Sequence, residues 1–205
     1  NSQKLSDEAK SQVKIYNAVS IAPILNNLAL CHYTIGNYSN ALKYANQSAN
    51  YCKDYYGDKS LQYARVLMNM SLYYSGMGDL HKGIQIAEQA LTIIDNLMHI
   101  EDPMEDMMLL AVDLMGNSEG AEDKLDAYRT DRLLTYASLL NNLSALYHKV
   151  GNMSKSKEYS NHSLTTKRGL IDNGESFYAS YLQSYINNIA LTSPNSQEIL
   201  NVYND

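Results

Sequence analysis

A chain of 205 residues, 45% hydrophobic and 19% charged, is long and apolar enough for one domain with a real core or for a short array of repeats, and it is not composed like a disordered chain. Its formal charge of −6 offers no basic face to neutralise phosphates, so no nucleic-acid partner is expected. Three Pro and 10 Gly are few for a turn-rich all-β protein, and no apolar run approaches the roughly 20 residues that span a bilayer.

Residues 1–22 are polar, with Leu5, Val13, Ile15 and Val19 as scattered apolar positions, and Ser6-Asp7-Glu8 reads as a helix start. The segment is expected to be a flanking helix that covers the open end of a helical stack, or the tail of an earlier unit. Residues 23–100 are expected to hold two helix–turn–helix units. In the first, Leu25, Leu28 and Ala29, then Tyr38, Ala41, Ala45 and Ser48, fall at helical spacing, committing one face of each helix to burial. Gly36-Asn37 suits the bend, because Gly takes a positive φ without strain and Asn tolerates it. Gly57 ends the second helix and Ser60 can cap the next. The pattern then recurs 42 residues on: Leu67, Met70, Ser71, Gly78, Leu80, Gly83, Ala87 and Ala90 occupy the same places in turn. Helices approach to about 8 Å only where the side chains between them are short, so Ala41, Gly83 and Ser156 are expected at such crossings.

Residues 101–138 break the rhythm, since the next turn glycine, Gly151, lies 73 residues after Gly78. Ten acidic and three basic residues fall within 101–132, with Met104, Met107, Met108 and Met115 nearby. Pro103 sits where a helix can begin, Gly116–Gly120 marks a break, and Ser118 can cap a helix running on towards Leu139. The segment reads as an inserted or degenerate helical hairpin, because MMLLAVDLM is too apolar to stay wet. Residues 139–180 form a third unit bent at Gly151-Asn152, with a further turn at Asn173-Gly174. Residues 181–205 would close the chain as a partial unit, stopped by Pro194.

The order of residues resembles the tetratricopeptide repeat superfamily. The 42-residue spacing and the opening LNNLA are similar to the repeats of kinesin light chain and related bacterial scaffolds, over residues 24–100 and 139–191. The chain departs from the family pattern at Leu25, Leu67 and Leu140, where an aromatic is common, and at Leu80 and Met153 after the bend. The resemblance implies an all-α, right-handed solenoid of antiparallel helix pairs. The residues agree with it, since one hairpin cannot bury both apolar faces and stacked neighbours can.

Asn27, Asn69 and Asn142 each stand nine residues before a turn glycine, and Asn188 holds the matching place in the last helix. Asn is a poor helix former, so its recurrence needs a reason. The resemblance implies that these amides face a concave groove and bind the backbone of an extended peptide. An amide suits that task because it donates and accepts at once. Arg65, Tyr33, His148 and Lys149 lie on the same faces by spacing, and the cations point to an acidic or carboxylate-bearing peptide. Four such amide contacts, about 1 kcal/mol each, cannot alone give tight binding, so buried side-chain anchors from the partner must supply the rest, and micromolar affinity is expected.

Other motifs carry less. Gly116-Asn117-Ser118-Glu119-Gly120 matches the hydrolase G-x-S-x-G elbow, which needs a preceding strand where the pattern here is helical. His32, His81, His99, His148 and His162 show no metal-ligand spacing. Cys31 and Cys52 read as buried free thiols in different helices. No cofactor is expected. The chain opens on Asn and is expected to be a piece of something longer, soluble and cytoplasmic, without membrane insertion. The expected function is non-catalytic protein or peptide binding. The alternatives are a peptide-sensing domain of a bacterial signalling protein, or a substrate-recruiting module of an enzyme whose catalytic domain lies elsewhere.

Overall fold

A computed structural model of the chain describes residues 2–99, 102–115 and 119–172. Among the described residues the regular elements are all helical: α1 (Ser2–Tyr16), a π-helical turn (Asn17–Ile21), α2 (Ala22–Thr34), α3 (Tyr38–Tyr56), α4 (Leu61–Gly76), α5 (Leu80–His99), α6 (Pro103–Met115), α7 (Glu119–Lys149) and α8 (Met153–Asp172). They fall into two compact units, Asn1–Leu97 and Met98–Asp205.

One turn recurs three times. Gly36, Gly78 and Gly151 adopt φ of 76°, 86° and 80°. At the first, the Gly36 N–H donates to the carbonyl of Tyr33 at 3.0 Å and the Asn37 N–H to that of His32 at 2.8 Å. Gly78 and Asp79 repeat the pair on Ser75 and Tyr74, and Gly151 and Asn152 on His148 and Tyr147. This is the Schellman arrangement, which satisfies carbonyls the ending helix would leave bare. The residue after each glycine then caps the next helix. Asn37, Asp79 and Asn152 accept through Oδ1 from the backbone N–H of Asn40, Lys82 and Lys155 at 3.3, 3.0 and 3.2 Å. A β-carbon built on any of the three glycines meets nothing within 4 Å, so the demand is on the backbone alone.

Small residues line the helix contacts. Ala29, Ala41, Ala45, Gly83, Ala87, Ala90 and Ser156 are buried, and α2 packs on α3 and α3 on α4. The third hairpin, α7–α8, is the more polar one, and its serines are satisfied across the pair. Ser144 Oγ donates to the Ser156 carbonyl at 2.8 Å and Ser156 Oγ to the Ser144 carbonyl at 2.9 Å. Ser163 Oγ reaches the Ala137 carbonyl at 2.7 Å, as Ser48 Oγ reaches that of Ala22 at 2.8 Å, 115 residues earlier. A hydroxyl bonded in this way loses little by burial.

The helix of the N-terminal segment runs on into the first hairpin. The Ala22 N–H reaches back to the Asn17 carbonyl, and the chain passes from α1 into α2 through the π turn without a break. Pro23, in the first turn of α2, has no N–H and crowds the preceding turn, and the wider π turn accommodates it. From Ser6 to Tyr16 every residue of α1 is exposed. The thiols also differ from expectation. Cys52 is buried, with its pKa raised by burial against the pull of a Ser48 hydrogen bond and the Arg65 charge, whereas Cys31 is exposed.

In the second unit α6 begins at Pro103, and Asp102 caps it by accepting from the Met104 and Glu105 N–H groups at 3.1 and 3.3 Å. The same carboxylate takes the Tyr128 hydroxyl and bonds Arg132 of α7. Arg132 Nη1 also meets Glu105 at 2.7 Å, and Arg129 Nε donates to Glu105 at 2.8 Å while facing the exposed Asp126 at 3.7 Å. Burial pushes the Glu105 carboxyl up, but the hydrogen bonds and charges of Arg129 and Arg132 outweigh it and hold the group below its ordinary value. Burial, and then the adjacent Asp102, push the Tyr128 phenol up, so it stays a neutral donor. Two of the ten acidic residues of the segment, Asp102 and Glu105, are therefore part of an internal clasp between α6 and α7.

Gly78→Ala or Gly151→Ala is expected to lower stability by about 1 kcal/mol, the cost of a β-carbon in the left-handed region, read as a shifted urea midpoint at unchanged slope. Arg132→Met strands two carboxylates and is expected to cost about 3 kcal/mol in the same measurement. Because the native pKa of Glu105 is lowered, its contribution is complete above the ordinary carboxylate range and disappears as pH falls through that lowered value. Acid denaturation of Glu105→Gln is thus shallower than that of the unaltered chain.

Candidate functional site

The residues singled out by spacing fall in two groups, one on each unit. On the first, Asn27 of α2 is exposed and Asn69 of α4 is half-buried. Asn69 Nδ2 donates to Asn26 Oδ1 at 3.0 Å, tying the first helix of one hairpin to the first helix of the next. One donor of Asn69 is therefore committed inside the protein. The residue missed from sequence is Asn26, and the signal for it was the doublet Asn26-Asn27, which recurs as Asn141-Asn142 and Asn187-Asn188.

Tyr33 does not stand free on this face. Its ring is 5.7 Å from that of Tyr38 and 5.2 Å from that of Tyr73, so it packs between hairpins. Tyr38 in turn lies where a β-carbon on Gly76 would come within 2.5 Å of its ring, so the missing side chain at Gly76 makes room for Tyr38. The Tyr73 hydroxyl is buried without a hydrogen-bond partner, and its pKa is raised to about 12 by burial first and by Tyr33 and Cys31 next. Arg65 is half-buried and acts on the Cys52 thiol.

On the second unit, Asn142 is half-buried, while His148 and Lys149 are exposed in the last turn of α7. A cation there is favoured by the carbonyl end of the helix whatever it binds. Tyr147 stacks on Tyr159 at 5.6 Å, the counterpart of His32 on Tyr44 at 5.3 Å in the first hairpin. Asn188 lies outside the described residues, as do Ser118 and the turn at Asn173-Gly174. The segment before the G-x-S-x-G match is α6, a helix rather than the strand an elbow requires. Among the described residues no three His, Cys, Asp or Glu side chains gather into a metal site, and no helix is long and apolar enough to cross a membrane.

Repeated antiparallel hairpins joined by a Schellman glycine, with short residues at each crossing and a 42-residue register, define an all-α helical-repeat protein. The tetratricopeptide repeat family model matches residues 20–96, so that segment of the chain carries tetratricopeptide repeats. Among solved structures it is similar to BtubC (BKLC) from P. vanneervenii, at 17% identity and a TM-score of 0.56 over 84% of this chain. This chain spans 56% of that one's length. A Podosopora anserina chain of nearly identical TPR-like repeats, described as a kinesin light chain, gives 14% identity and a TM-score of 0.38, covering 88% of this chain and 92% of its own. No curated protein matches the sequence. Tetratricopeptide repeats generally mediate protein–protein interaction.

The Asn69–Asn26 link is testable by a double-mutant cycle. Asn69→Ala and Asn26→Ala are each expected to lower stability by about 1 kcal/mol, and the pair together by no more than either alone, in thermal or urea unfolding.

Proposed function

We propose that the chain is a non-catalytic protein- or peptide-binding scaffold that holds the backbone of an extended partner with amides on the first helix of each hairpin. The observation that carries this reading is the recurrence of Asn at one repeat position, at Asn27, Asn69 and Asn142, on helices where its poor propensity is a cost. Asn188 would continue the series. The exposure of Asn27 supports it, and so does the half-exposure of the other two. Asn69 keeps a second amide proton and its carbonyl for a ligand after bonding Asn26.

Selectivity would come from Arg65 and Tyr33 on the first unit and from His148 and Lys149 on the second, favouring acidic or carboxylate-bearing peptides. Tyr33 acts through the rim of its packed ring. The division into two repeat units over 23–100, an acidic insertion over 101–138, a third unit over 139–180 and a closing segment over 181–205 belongs to the same reading. So does the closer likeness to the 42-residue repeats of kinesin light chain.

The test is fluorescence anisotropy with a panel of labelled acidic and basic extended peptides. Acidic members are expected to bind in the micromolar range. Changing Asn27, Asn69 and Asn142 together to Ala removes up to three contacts of about 1 kcal/mol, weakening binding on the order of 100-fold while the helical circular-dichroism signal persists. Unchanged affinity in the triple variant would remove the amides from the function.

A further inference from the structure

α6 turns an ionic side inward and an apolar side outward. Asp102 and Glu105, at its start, bind Tyr128, Arg129 and Arg132, and these contacts fix the side of α6 that faces α7. Successive helical residues are about 100° apart, so Met107 and Leu110 stand roughly opposite Glu105. They are three residues apart and therefore neighbours on the helix surface. Met107 is 59% exposed and Leu110 57%, and Leu109, next to Leu110 in the chain, is 40% exposed. A surface helix ordinarily does the reverse, keeping its charges in water and its apolar residues inside. Exposed apolar side chains scattered singly need no explanation, but clustered and rimmed by polar residues they mark an interaction surface.

Charge identifies the occupant. Residues 101–132 hold ten acidic and three basic residues, and outside them the charges nearly cancel. The clasp sets Asp102 and Glu105 against Arg129 and Arg132, which leaves eight acidic residues and one lysine, Lys124. Asp106 adjoins Met107 and stands one turn before Leu110, and it is exposed. Glu122, Asp123 and Asp126, on the part of α7 that precedes the clasp, are exposed as well. A second copy of this chain would bring the same negative charge against that rim, and an acidic peptide or a nucleic acid would do likewise. Lys or Arg flanking an apolar stripe meets both features at once. Met107 and Leu110 form a stripe at helical spacing, which a partner helix matches with its own apolar residues three and four apart. The flexible thioether of Met107 adapts to side chains of different shape.

We propose that the outward face of α6, centred on Met107 and Leu110 and rimmed by Asp106 and the acidic start of α7, docks a basic amphipathic helix of a partner protein. This surface differs from the proposed peptide-binding amides in its residues and in the sign of charge it selects.

The test is fluorescence anisotropy of the whole chain with a labelled amphipathic helical peptide of Leu and Lys. One control peptide has Glu in place of each Lys, and a second keeps each Lys and has Ser in place of each Leu. The Leu–Lys peptide is expected to bind in the micromolar range, and both controls about tenfold more weakly or less. Met107→Ser combined with Leu110→Ser alters exposed side chains and leaves the clasp in place. It is expected to weaken binding about tenfold, with circular dichroism and thermal midpoint unchanged. Changing Asn27, Asn69 and Asn142 to Ala is expected to leave the affinity for this peptide unaltered, so the two sites stand or fall separately. A second reading needs no variant. In the methyl NMR spectrum of the methionines, Met107 is expected to shift on adding the peptide while buried Met70 does not. Absence of binding, equal binding of the Lys–Ser control, preference for the acidic control or undiminished binding by the double variant overturns the proposal. So does a Met107 shift produced by concentrating the chain alone, which would make a second copy the occupant.

Discussion

A helix that must end and be succeeded at once by an antiparallel neighbour needs its last carbonyls satisfied, its direction reversed and its successor capped, all within three residues. A left-handed glycine followed by Asn or Asp does all three. The glycine directs two N–H groups back onto the closing helix, and the next side chain takes an N–H of the opening one. Because the connection is this short, the two helices have little freedom in how they meet. The residues facing one another across the pair are then the same in every copy. Ala29 against Ala41, and Ser144 against Ser156, are one place in the repeat filled by two chemistries, one by contact alone and the other by reciprocal hydroxyl-to-carbonyl bonds.

That local character is why so much of the fold was legible. Gly36, Gly78 and Gly151, the Asn or Asp after each, the end of α3 at Gly57, the Ser60 cap and the start of α6 at Pro103 are all dictated by residues within a turn of the feature they make. The misses have the opposite character. The clasp of Asp102 and Glu105 with Tyr128, Arg129 and Arg132 joins residues up to 30 apart, and in the sequence it looks like a stretch of excess acid. The Asn69–Asn26 bond joins residues 43 apart. Leu28 and Cys31 are exposed in α2, which no periodicity within that helix encodes. The passage of α1 into α2 through the π turn was not legible, because residues 1–22 are polar with only scattered apolar positions.

The candidate site shows the same division. Spacing found a position, nine residues before each turn, where Asn recurs. It could not tell that of the Asn26-Asn27 doublet Asn27 is exposed and Asn26 bonds to the neighbouring hairpin. That choice is made by the angle between two hairpins, and Asn26 and Asn27, one residue apart, lie about 100° apart around the helix. Tyr33 illustrates the point with a ring. By spacing it belongs on the ligand side, yet the room left by Gly76 brings Tyr38 in beside it, and Tyr73 packs on it from α4.

The two units are held by different forces, and this bears on how each can respond to its surroundings. The first is built on short apolar residues and stacked rings, and the ion pairs Lys10–Asp7 and Lys53–Asp58 within it are exposed and worth little. The second places a carboxylate–arginine–phenol network between α6 and α7. It also buries Lys167, whose pKa burial lowers, where the other hairpins have Cys52 and Ile94. Replacing buried ions by apolar residues of the same shape often stabilises a protein, so such a network does not exist to add stability. What it supplies is directional: a guanidinium bridging two carboxylates fixes the register of α6 on α7 in a way that interchangeable leucines cannot. A segment that departs from the 42-residue register has no repeat neighbour to set its position, and in this chain that is where the carboxylate–arginine network is found.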